Sequence, residues 1–100
     1  MPPSIDLDRG FNSDLDEAVD FQLGLGLERA ERFARDFEDA VSNIRTYPDL
    51  GASFEAGTRR WVMARWGYSV IYLVTEDRSH IRFIAFAHAS SPPGYWLERL

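Results

Sequence analysis

The sequence predicts an α+β domain: an N-terminal helical hairpin packed on one face of a three- to four-stranded antiparallel sheet, with residues 1–100 forming a single domain. Three observations lead there. Apolar residues recur at three- and four-residue steps between Leu15 and Ile44, and at every second residue between Arg60 and His88. A stretch punctuated by Pro48, Gly51 and Gly57 separates the two regimes.

Residues 4–9, Ser-Ile-Asp-Leu-Asp-Arg, alternate polar and apolar, predicting a short edge strand with Ile5 and Leu7 turned inward. Ser13-Asp14-Leu15-Asp16 then reads as an N-cap followed by carboxylates suited to a helix N-terminus. Leu15, Ala18, Val19, Gln22 and Leu23 extend that helix over about 13–23, and Gly24 and Gly26 supply its stop. A second helix runs from about 27 to 46, ending before Pro48; Ala30, Phe33, Ala34, Phe37, Val41 and Ile44 form its apolar stripe. Residues 47–58 have loop chemistry.

Three strand-like runs follow, Arg60–Arg65, Tyr68–Thr75 and His80–His88, separated by hairpin-length turns. Tyr68, Val70, Tyr72 and Val74 share one face, and Ser69, Ile71, Leu73 and Thr75 the other. Both faces are largely apolar, while the helical hairpin can cover only one. The second face is therefore covered by something else or left as an apolar groove. The tail from Pro92 to Leu100 has the composition of a single terminal helical turn.

Composition narrows the function classes. The chain has no cysteine, which excludes disulfides, thiolate metal sites and thiol nucleophiles, and a reducing cytoplasm suits it. Neither a signal peptide nor a membrane span is expected from the apolar runs. Net charge is -5, unevenly placed: residues 13–46 carry nine acids against four arginines, whereas residues 59–100 carry six arginines against three acids. A basic C-terminal half suits anionic or acidic partners. All basic residues other than histidine are arginine, the side chain adapted to bidentate contacts.

The order of these features resembles the RelE/ParE superfamily of bacterial type II toxin–antitoxin systems. The likeness rests on the edge strand, the acidic hairpin, Tyr47-Pro48 with Gly51, Arg59-Arg60, Tyr68 with Tyr72, His88 closing the last strand, and the ending Tyr95-Trp96-x-x-Arg99. It implies a toxin held inactive by a cognate antitoxin in a hetero-oligomer, without cofactor, metal or membrane. It offers two targets: DNA gyrase for the ParE branch, and ribosome-bound mRNA, cleaved by an endoribonuclease, for the RelE branch. In a RelE-like enzyme the positions carried over as catalytic are Arg65, His88 and Tyr95. A ParE-like toxin would use Arg59, Arg60, Trp61, Trp96 and Arg99 to bind target or antitoxin.

One departure favours the ParE branch. Members often follow the last-strand histidine with arginines, and here the stretch is Ala89-Ser90-Ser91-Pro92-Pro93. RNA cleavage by 2′-hydroxyl attack requires a base, an acid and cationic stabilisation of the phosphorane, and this segment supplies no cation. A third reading is a degenerate homologue that binds antitoxin without toxicity.

Each candidate has an ordinary reading beside the functional one. Arg59 and Arg60 can be solvated edge charges. Arg65, placed with Trp61 and Met63 on one strand face, can pair with a hairpin carboxylate. Arg82 can snorkel from a face shared with Ile84, Phe86 and His88. His88 can be either an acid–base group or a strand-end ring bonded to the backbone. Tyr95 and Trp96 can stack on bases or close over the core. The acidic run Asp14–Asp20 reads as a solvated helix face rather than a metal site.

Overall fold

The computed structural model describes residues 1–100. Its elements run β1 (Ser4–Leu7), α1 (Arg9–Leu25), α2 (Leu27–Thr46), β2 (Ala52–Ser53), β3 (Arg59–Met63), β4 (Tyr68–Val74) and β5 (His80–His88). Short 3-10 turns lie at Glu55–Gly57 and Leu97–Arg99, the latter being the expected terminal turn. The sheet has five strands in the order β1-β5-β4-β3-β2. It is mixed rather than wholly antiparallel, because β1 joins β5 in parallel with Ser4 opposite His80 and Leu7 opposite Phe83. A two-residue pairing inside the expected loop, Ala52 with Arg60 and Ser53 with Arg59, adds the far edge.

The first helix begins four residues before its expected start. Asp8, in extended conformation, caps it by accepting from the Gly10 N–H at 2.8 Å. Ser13 is therefore inside the helix, and the buried stripe runs Phe11, Ala18, Gln22. Gly24 is helical too. The turn falls on Gly26, whose φ of 142° is closed to L side chains. Across that joint the Arg29 Nε donates to the side-chain Oε1 of buried Gln22 at 2.7 Å and fixes the hairpin. The second helix matches its expected bounds, with Ala30, Phe33, Ala40 and Ile44 buried; Ala34 is exposed.

The hairpin packs on one sheet face around Phe11, Phe33, Val70, Tyr72, Phe83 and Phe86. Edge-to-face ring pairs dominate there, such as Phe33–Trp66 at 5.1 Å and Phe37–Phe86 at 5.4 Å. Ile5 packs against this core, but Leu7, at the strand end, is exposed.

The expected shared face of Arg82, Ile84, Phe86 and His88 is broken by a bulge. Ile71 pairs with Ala85 and Tyr72 with Phe83, leaving Ile84 as an extra residue in β5. The extra residue resets the alternation. Ile84 joins Ile71, Ala85 and Trp96 on the second face, while Phe86 stays with the helices.

Candidate interaction surface

The second sheet face is half covered. Trp96 lies 2% exposed over Ile71, Ile84 and Ala85, with its ring 5.9 Å from that of Phe54. Beside it remains a groove of about 360 Å³ whose lining includes Phe54, Val62, Ser69, Ile71, Ala87 and Pro92. Val62 is 51% exposed, an apolar strand residue with nothing laid over it. Arg60 places its guanidinium 4.8 Å above the Phe54 ring at the groove wall.

The tail that carries Trp96 is tied to α1 through Asp14. One carboxylate oxygen of Asp14 accepts from Arg99 at 2.7 Å, from the Tyr95 hydroxyl at 2.9 Å and from the Phe86 N–H at 3.1 Å. Arg99 also donates to the Ile84 carbonyl at 3.1 Å, so it spans helix and bulge together. Burial and the Asp14 charge push the Tyr95 phenol well above its ordinary range; the bond to Asp14 holds the Arg99 guanidinium cationic. Arg99 and Trp96 thus build the surface, whereas Arg60 and Val62 are open on it.

The remaining candidates fall in three places. His88 and Tyr95 both line the groove, and His88 accepts at Nδ1 from the Ser90 N–H at 3.1 Å, which leaves Nε2 beside Gly67. Arg65 is not with them. It sits in the β3–β4 turn, highly exposed, 4.0 Å from Asp36 of α2, rather than on a strand face with Trp61 and Met63. Trp61 packs toward the helices at a separate small cleft shared with Asp36 and Asp39. Arg59 donates to the Asp49 and Gly51 carbonyls at 3.0 and 2.8 Å, holding the 47–51 loop that the Tyr72 hydroxyl secures from below through Pro48.

Sequence reasoning missed two contributors. Asp14 looked like a helix-start carboxylate; its approach to the tail required the helix to begin at Arg9, a start that Asp8-x-Gly10 could have signalled. Phe54 lay in a stretch read as plain loop, and only the β2 pairing aims it at the second face.

A family model described as the ParE toxin of type II toxin–antitoxin systems, parDE, matches residues 5–93. The chain belongs to the ParE toxin family. Among solved structures, a chain of the chromosomal ParDE system from P. aeruginosa is 24% identical, covering 88% of this chain and 97% of that one at a TM-score of 0.73. A chain of the RelBE2 toxin–antitoxin complex from Mycobacterium tuberculosis is 16% identical, covering 88% and 99%, at 0.63. A mutant of the E. coli toxin RelE in its free state is 17% identical, covering 100% and 99%, at 0.61. These likenesses show that the ParE-family chain shares its fold with both toxin types. No curated protein matches its sequence.

Proposed function

We propose that this ParE-family toxin acts in the bacterial cytoplasm, is neutralised by a cognate antitoxin seated in the second-face groove, and arrests growth when free by contacting DNA gyrase. The observation that carries the antitoxin site is the uncovered half of the sheet: exposed Val62 and the groove beside Trp96 offer apolar area, with Arg60 alongside. An antitoxin segment that alternates apolar side chains with a carboxylate fits this pattern.

Inhibition by protein contact is favoured over RNA cleavage by the state of the would-be catalytic groups. Tyr95 has its hydroxyl committed to Asp14, and Arg65 stands at Asp36, away from the groove that His88 and Tyr95 share. A cleaving site needs a base, an acid and a cation around one phosphate.

Induction of the chain in cells carrying separate reporters for DNA damage and translation tests the target. The expected result is growth arrest with DNA-damage induction, loss of supercoiling by purified gyrase, and rescue by a co-expressed cognate antitoxin that Arg60→Glu weakens. A translation block with mRNA cut at the ribosomal A site overturns the gyrase reading in favour of a nuclease. Antitoxin binding without any toxicity would mark a degenerate homologue.

A further inference from the structure

A second cleft lies on the other side of the tail, between α1 and the C-terminal segment. It measures about 550 Å³, and its lining includes Glu17, Phe21, Tyr68, Pro92, Tyr95 and Arg99. Its charged lining is Asp14, Glu17 and Arg99, so one carboxylate is in excess.

The cleft already displays the chemistry it accepts. Along one wall, Arg99 places a guanidinium on Asp14 and 5.1 Å over the Tyr95 ring. Beside this internal cation Glu17 is an exposed carboxylate that receives no hydrogen bond, and its charge reaches Tyr68, whose phenol it helps push up after burial. Phe21, one helical turn on from Glu17, is 61% exposed at the same cleft, and Leu25, a turn further, is 56% exposed. Positions four apart share a helix face. Between Ser13 and Leu25 that helix carries four acids and no base.

We propose that this cleft receives an arginine or lysine side chain from a basic amphipathic segment of a protein partner. The cation lies between Glu17 and the rings of Phe21 and Tyr68, and the partner's apolar residues continue along Phe21 and Leu25. A carboxylate beside aromatic surface recognises a cation by charge and by ring quadrupole together. The cleft shares the wall of Ser91, Pro92 and Tyr95 with the groove assigned above to the antitoxin but adds Glu17 and Phe21 of α1, and the inference does not depend on that assignment.

The test uses the full chain, isotope-labelled for NMR, with two probes: a 15-residue amphipathic helical peptide with leucines along one face and flanking arginines, and its twin with citrulline at each arginine. The arginine peptide is expected to shift amide signals of residues 14–25 and 91–95 and to bind about tenfold tighter than the citrulline twin. Glu17→Gln should weaken it about fivefold and leave the citrulline twin unchanged. Glu31→Gln, the same charge change on α2, should leave both peptides unaffected. Equal binding of the two peptides, shifts confined to α2, or equal losses in Glu17→Gln and Glu31→Gln would overturn the proposal.

Discussion

Asp14 and Arg99 stand 85 positions apart in sequence and meet at 2.7 Å, with side chains only 14% and 20% exposed. Their contact closes the C-terminal segment over the sheet and sets the wall shared by both clefts. Removing Asp14 strands Arg99, the Tyr95 hydroxyl and the Phe86 N–H at once. Asp14→Ala should cost about 3 kcal/mol, and Arg99→Met about 2 kcal/mol because Tyr95 and Phe86 still satisfy the carboxylate. Urea unfolding measures both, and the double variant should lose less than their sum.

Alkaline titration should single out Tyr95. Its phenol titrates above the ordinary range because burial and Asp14 disfavour the phenolate. A group whose folded pKa is raised contributes stability that is whole below its unfolded value, near 10, and is lost as pH climbs toward the folded value. Wild-type stability should therefore fall above about pH 10, with a shallower slope in Tyr95→Phe. Tyr68 and Tyr72 are also raised, so part of the decline persists in the variant. Identical slopes from thermal melts would contradict the burial of this hydroxyl.

Two helical glycines should respond oppositely to alanine. A Cβ on Gly10 would collide with the Arg99 side chain, which Asp14 and Ile84 hold in place. Gly10→Ala should thus lose about 1–2 kcal/mol. Gly24 has open space around its would-be Cβ and lies within α1, so Gly24→Ala should gain about 0.5–1 kcal/mol. Chemical denaturation of the pair reads out both signs.

Truncating Trp96 should open the second face. Trp96→Ala should destabilise the fold by about 3–5 kcal/mol and raise binding of an apolar dye, since Ile71, Ile84 and Ala85 lose their cover. Trp96→Phe retains most of the packed area, so it should recover most of that loss.

The hairpin and the strands were readable because a single period holds over most of each, as Phe33–Phe37–Ile44 and Val70–Tyr72 show. What escaped were departures from a single period. The extra Ile84 inverted the facing of β5 halfway along, and no local pattern marks a bulge whose flanks are apolar on both sides. Arg65 continues the alternation of β3 in the sequence, yet the turn begins two residues before Trp66, at Ala64. Tyr95 and Trp96 were legible as core-closing residues. Their anchor was not, because the partner of Arg99 sits at the opposite end of the chain.

The parallel seam between β1 and β5 has a consequence for synthesis. The backbone N–H of Ser4 donates to the Ser79 carbonyl, a partner made 75 positions later in the chain. Pairings of such span close late. During synthesis β1 therefore stays idle, and the sheet gains that edge only once β5 has cleared the ribosome.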